Sequence, residues 1–204
     1  MTKFPQSLTS TGPCTGCQTG QDLDFDFAFA FQPIVDLRDQ SIFANEALVR
    51  GSNGEGALSV LSRVNDDNRY RFDQRCRTLA ITTAAQMGMQ SHLSINFMPN
   101  AVYRPELCIR TTLEAAETYG FPIDRIVFEI TEGEQVDDRE HLRGIVQHYQ
   151  QRGFLTAIDD FGAGYSGLNL LADVRTDLVK LDLALVRGVH ADAGRRAIVR
   201  GVMQ

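Results

Sequence analysis

The sequence predicts an α/β fold in which parallel strands alternate with helices around a single sheet. Three observations predict it. Apolar runs of strand length recur between stretches of helical length from residue 69 onward. Glycine and proline fall where one element should stop and the next begin. Nearly every strand candidate ends in a carboxylate or an amide, as expected if the C-terminal strand ends of a (β/α)8 barrel surround one mouth. The competing architecture is an open, doubly wound sheet, disfavoured on the expectation that the chain carries neither a G-x-G-x-x-G after a strand nor a G-x-x-x-x-G-K-[ST] loop.

Each element has its own justification. DFDFAFAFQPIVDL, from Asp24, alternates Phe with small or acidic residues, the period-two signature of a strand. Arg38-Asp39-Gln40 turns the chain and SIFANEALVR returns as a second strand, antiparallel to the first because the link is short. GSNGEG carries three glycines in six residues and breaks structure. Residues 69 to 87 then predict a helix ending near Gly88, and LSINF (93 to 97) a short strand. Residues 106 to 119 predict a helix closed by Gly120 and Pro122. RIVFEIT (125 to 131) is a strand; residues 137 to 153 form a helix opened by Asp137 and Asp138, which suit a helix N-terminus. FLTAIDDF (154 to 161) is a strand, SGLNLLA a short helix, DLVKLDL (177 to 183) a strand, and AGRRAIVRGVMQ the start of a last helix.

Composition narrows the function classes. The 204 residues are 43% hydrophobic and 23% charged, ordinary for a globular protein and unlike collagenous, disulfide-dense or disordered chains. Lys and Arg number 20 against 26 Asp and Glu, a net charge of -6, so no broad basic face is expected to hold DNA or RNA. No run approaches 18 apolar residues, so no membrane segment is expected. Residues 1–23 read as a polar tail without the apolar core of a signal peptide, and 24–204 as one domain. A cytoplasmic setting with reduced thiols follows as the expectation. Cys14 and Cys17 form a C-x-x-C pair, but no second pair at comparable spacing completes a zinc site.

Read in order, the strand ends supply Glu46, Asn96, Glu129 with Glu132, Asp159 with Asp160, and Lys180 with Asp182. A single acid at a strand end is more often a turn or helix cap. Caps, however, need not fall at one end of every strand. Five or six oxygen ligands gathered at one mouth repel each other unless a hard divalent cation, Mg²⁺ or Mn²⁺, sits among them. The adjacent Asp159 and Asp160 can serve two ions if one carboxylate bridges, the apparatus of in-line phosphodiester hydrolysis. Lys180, inside the apolar run VKLDL, is either the counterion of Asp182 or a group that orients an attacking water.

Six blocks then occur in a fixed order: QPIV (32 to 35), NEALVRG, SINFMPNAVY (94 to 103), FEITE (128 to 132), DDFGAGYSGL (159 to 168) and VKLD (179 to 182). Together they resemble the EAL family of cyclic di-GMP phosphodiesterases, from about Phe29 to the last residue. The resemblance implies a TIM-like (β/α)8 barrel with an antiparallel first strand. It implies that Glu46, Asn96, Glu129 and Asp159 hold a first metal and that Asp159 and Asp160 reach a second, with Asp182 close by. Lys180 matches the lysine that contacts the nucleophilic water, with Asp160 the second catalytic group. Glu132 matches a glutamate anchoring the loop FGAGYSGL. Gln32, Leu48 and Arg50 resemble residues that hold the cyclic dinucleotide, and Arg50 is suited to bidentate phosphate contact. Two Mg²⁺ or Mn²⁺ ions, cyclic di-GMP as partner and a homodimer are implied with it.

The family pattern continues with a strand ending Ala-Glu-Gly-Val-Glu, to which nothing here corresponds. Six strands are counted where a barrel has eight. The expectation is an incomplete barrel with two open sheet edges and an uncovered apolar interior. Two function classes follow: a two-metal phosphodiesterase giving the linear dinucleotide, or an inactive module that binds cyclic di-GMP or a protein partner.

Overall fold

Alternation of large and small residues along two strands sets up the first hairpin. The computed structural model describes residues 22–133, 138–164 and 167–203. Strand β1 (Phe27–Val35) and β2 (Ile42–Gly51) pair antiparallel, from Phe27 opposite Gly51 through Gln32 opposite Glu46. The turn between them holds Gln40 at φ 63, and Arg38 donates to the Asp36 carboxylate. Then follow α1 (Ala57–Leu61), α2 (Arg69–Gln86), β3 (His92–Asn96), α3 (Pro105–Cys108), α4 (Arg110–Tyr119) and β4 (Ile126–Thr131). The chain continues through α5 (Arg139–Gln151), β5 (Leu155–Phe161), α6 (Gly167–Asp173), β6 (Leu178–Leu181), α7 (Leu183–Val186) and α8 (Ala193–Val202).

Strands β2 to β6 run parallel, and the six strands lie in chain order, β1-β2-β3-β4-β5-β6. An order that never reverses has no topological switch point, so the doubly wound alternative is excluded and the barrel-type winding stands. The sheet is not closed: β1 and β6 pair on one side only among the described residues.

The two faces of the sheet differ in kind. Leu93, Ile95, Ile126, Phe128, Ile130 and Ile158 are at most 1% exposed and join the helices in the main core with Ile81, Leu142, Ile145 and Tyr149. Successive side chains alternate across a strand. The opposite face therefore takes Gln32, Glu46, Ser94, Asn96, Glu129, Asp159 and Lys180. That face is polar along the strands' C-terminal halves, while Ala44, Val127 and Ala157, each at most 1% exposed, give it an apolar lower part.

Element ends follow local chemistry. Asp138 caps α5 by accepting from the N–H groups of Glu140 (2.8 Å) and His141 (3.1 Å), while Asp137 lies outside the described residues. Gly120 takes the left-handed conformation (φ 66) that ends α4. The helix expected over 106 to 119 is two pieces joined at the buried Ile109; three β-branched residues, Ile109, Thr111 and Thr112, weaken helical preference there. Helices α1 and α7 are additions to the expected set. The first follows the glycine-rich break and buries Val60; the second is capped by Asp182.

Candidate functional site

Residues far apart in sequence meet across five strands: Asn96, Glu129, Asp159 and Lys180 lie toward the C-terminal ends of β3, β4, β5 and β6, and Glu46 midway along β2. Glu46, Glu129 and Asp159 present carboxylate oxygens that lie within 4.8 Å of one another. Asn96 donates from Nδ2 to Glu46 Oε1 at 3.2 Å, which places its amide beside the same group. Lys180 sends its ammonium into the cluster: Nζ is 2.8 Å from Glu129 Oε2, 2.9 Å from Glu46 Oε2 and 3.0 Å from Asp159 Oδ1. Ser94, two residues before Asn96 on the same face, donates its hydroxyl to Glu129 Oε1.

These groups are shielded from water, which strengthens their mutual field. The Glu129 side chain is 1% exposed, those of Glu46 and Asp159 15%, and that of Lys180 25%. Burial pushes the Glu129 carboxyl above its ordinary range, against the pull of Lys180. For Lys180 burial works downward, but the Glu129 charge and the hydrogen bonds from Glu129, Glu46 and Asp159 outweigh it, so the ammonium stays protonated. The counterion reading of Lys180 is thus half right: it is a counterion, but of three other carboxylates.

A bulge places the paired aspartates. The β5–β6 register shifts between Ile158 and Phe161, and Asp160 sits at φ 53. Ile158 and Phe161 both pack in the helical core. Three positions apart, they share a face only because of the extra residue. Asp159 and Asp160 both lie off that core, and the Asp160 N–H donates to Asp159 Oδ1 at 2.9 Å. Burial, and next the charges of Asp159 and Asp182, raise the Asp160 carboxyl above its ordinary range. Asp160 and Asp182 stand outside the tight group of three carboxylates. Asp182 is partly used otherwise, since Oδ1 accepts from Ala184 N at 2.8 Å to cap α7.

The nucleotide-facing candidates lie beside this cluster. Leu48 and Arg50 line a cleft of about 330 Å³ together with Asn96, Met98 and Thr131. Arg50 donates to the Val49 carbonyl at 2.8 Å, and no carboxylate pairs with it among the described residues. Gln32 is exposed on β1, in register with Glu46. Three carboxylates and an amide, all hard oxygen donors, suit Mg²⁺ or Mn²⁺.

A family model for the EAL domain matches residues 21–204. The chain belongs to the EAL domain family. Among solved structures, a standalone versatile EAL protein from Vibrio cholerae O395, in its c-di-GMP bound form, is 60% identical with a TM-score of 0.85. The match covers 89% of this chain and 77% of that one. Klebsiella pneumoniae BlrP1, in complex with manganese and cyclic di-GMP, is 31% identical at a TM-score of 0.79, covering 90% of this chain and 47% of that one. The Escherichia coli K12 protein named "Probable cyclic di-GMP phosphodiesterase PdeB" is 30% identical over 79% of this chain and 32% of its own. The chain spans less than half the length of the curated relatives it matches.

In this EAL domain the segment after β5 closes on Glu132. Its Oε2 accepts from Gly162 N at 2.5 Å, and the residue is 4% exposed. A Cβ on Gly164 would lie 2.8 Å from Glu132 Oε1, and one on Gly167 2.8 Å from Glu132 Cδ. Gly162, Gly164 and Gly167 match the G-x-G-x-x-G spacing directly after a strand, which corrects the expectation that no such fingerprint is present; here the glycines permit close approach to a carboxylate. Tyr165 and Ser166 of this loop lie outside the described residues, as do Cys14 and Cys17.

Sequence reasoning missed three participants. Ser94 was legible from its position two before Asn96, hence on the same face. The buried pair Asp73 and Arg77 has an i, i+4 spacing between apolar residues of α2, a signal masked by its likeness to an ordinary surface pair.

Proposed function

We propose that this EAL domain hydrolyses cyclic di-GMP to the linear dinucleotide pGpG by a two-metal phosphodiesterase mechanism, within bacterial second-messenger signalling. The observation that carries the reading is the convergence of Glu46, Glu129, Asp159 and Lys180, from four strands, beside a cleft lined by Arg50. The names of its relatives support it.

In this reading Glu46, Asn96, Glu129 and Asp159 hold one ion, and Asp159 and Asp160, with Asp182 nearby, a second. Mg²⁺ or Mn²⁺ supplies Lewis acidity toward the phosphate and the attacking water. Arg50 takes a phosphate oxygen, while Gln32 and Leu48 hold the dinucleotide. Lys180 orients the water and offsets the charge that gathers on phosphate. Water oxygen bonds to phosphorus, one P–O ester bond breaks, and a proton passes to the leaving oxygen. Glu132 anchors the segment after β5 by accepting from the Gly162 N–H.

The test incubates the chain with cyclic di-GMP and Mn²⁺ and follows linear product by chromatography. Metal-dependent product is expected. Saturable nucleotide binding without product would overturn the enzyme reading and make this chain a receptor module. The reading includes a homodimer in the cytoplasm; light scattering tests the first. Among the described residues no helix is long and apolar enough to cross a membrane.

A further inference from the structure

Helix α2 reaches the site from behind through two buried charges. Asp73 is 2% exposed and Arg77 0%. Asp73 Oδ2 pairs with Arg77 Nη2 at 2.8 Å, and Oδ1 accepts from the backbone N–H of Met98 at 2.9 Å. The guanidinium is in turn fixed by donation from Nη1 to the Tyr149 hydroxyl at 2.7 Å. Its carbon lies 5.0 to 5.6 Å from the ring centres of Phe128, Phe97 and Tyr149.

Met98 is two residues beyond Asn96, and every step between them is tied down. The Phe97 N–H donates to the Glu129 carbonyl at 3.1 Å, and its ring packs on Phe128 and under Arg77. Asp73, Asn96 and Met98 also line one cleft. Stability alone does not call for this arrangement, because a buried ion pair seldom outperforms apolar residues of equal volume. Its distinctive feature is direction: one carboxylate oxygen is spent on a backbone N–H at the strand end.

We propose that Asp73, seated by Arg77, is a positioning residue for Asn96. It fixes the backbone beyond β3 so that the Asn96 amide stays turned toward Glu46 and the metal site. The inference rests on reading Asn96 as a metal ligand. Groups that orient a ligand without touching the ion commonly change affinity tenfold or more.

The test measures Mn²⁺ affinity of the metal-free chain by isothermal titration, beside thermal melts. Two double variants remove both buried charges together: Asp73→Leu/Arg77→Met loses the acceptor for Met98 N–H, whereas Asp73→Asn/Arg77→Met keeps one. A third, Asp177→Ala, removes hydrogen bonds to Thr156 at the opposite end of the sheet. Affinity about tenfold weaker in the Leu/Met variant, near wild type in the Asn/Met variant and unchanged in Asp177→Ala is expected. Wild-type affinity in the Leu/Met variant overturns the proposal. So does equal weakening of both double variants, or weakening in Asp177→Ala that tracks lost stability. A wild-type chain that binds no Mn²⁺ removes the metal-site reading itself, and this inference with it.

Discussion

Lys180 Nζ lies 2.8 Å from Glu129 Oε2, although 51 positions separate the two residues in sequence. The ammonium stands where three carboxylates converge, so it performs in the protein alone the charge balance that a divalent cation would perform. A divalent cation bound by these carboxylates would compete with the ammonium for the same oxygens.

Replacing that internal cation should expose the competition. Lys180→Met leaves three shielded carboxylates without a partner and costs about 2 to 3 kcal/mol, less than a fully buried pair because the site is partly open. Mn²⁺ should then raise the melting temperature of the variant more than that of the wild type, since ligand binding to the folded state adds stability. Equal shifts in differential scanning calorimetry would contradict the shared position.

Glu46→Ala and Asp159→Ala each remove an oxygen donor from the group of three. Hydrolysis of cyclic di-GMP by the chain should fall at least about a thousandfold, because metal chemistry contributes several kcal/mol to the barrier. Full turnover in either variant, measured as linear product, would refute the assignment.

Burial raises the Tyr149 phenol to about 12, against the opposing charge of Arg77. Above the ordinary value of 10.0 the unfolded chain releases a proton that the folded chain retains. Stability is therefore full below pH 10 and falls as pH rises toward 12, by on the order of 2 kcal/mol. Tyr149→Phe should flatten that limb in urea titrations. An unchanged slope between pH 10 and 12 would exclude Tyr149 as its source.

Two glycines separate close approach from mere flexibility. Gly167→Ala forces a methyl onto the Glu132 carboxylate and should cost about 1 to 3 kcal/mol. Gly144→Ala, on the exposed side of α5 with nothing within 4 Å, should instead stabilise by about 0.5 to 1 kcal/mol. Chemical denaturation distinguishes the opposite signs directly.

Much of this was legible in the sequence because strands and caps are local. Alternating Phe in β1, the apolar run of β4 and the stop at Gly120 mark their elements without tertiary help. Their ends placed Glu46, Asn96, Glu129 and Asp159 at one mouth. What stayed hidden depends on pairings across the fold. Nothing near Lys180 in the chain names Glu46 and Glu129 as partners, since VKLDL offers only Asp182. Asp182, in turn, was spent on a helix too short to carry a periodic signal. The link from Asp73 to Met98 runs from a side chain to a backbone group, which no residue pattern records.

The bulge in β5 gives the site a dependence on counting. Two adjacent aspartates share one side of the sheet because an odd residue lies between Ile158 and Phe161 in the helical core. Substituting Asp160 changes one functional group, whereas deleting it leaves Ile158 and Phe161 two positions apart, the regular spacing of residues on one face. Phe161 then stays in the core and Asp159 stays off it, and only the second carboxylate is lost. A shortened strand would keep its core face and most of its packing yet lose the paired carboxylates, so the extra residue serves the site and not the sheet.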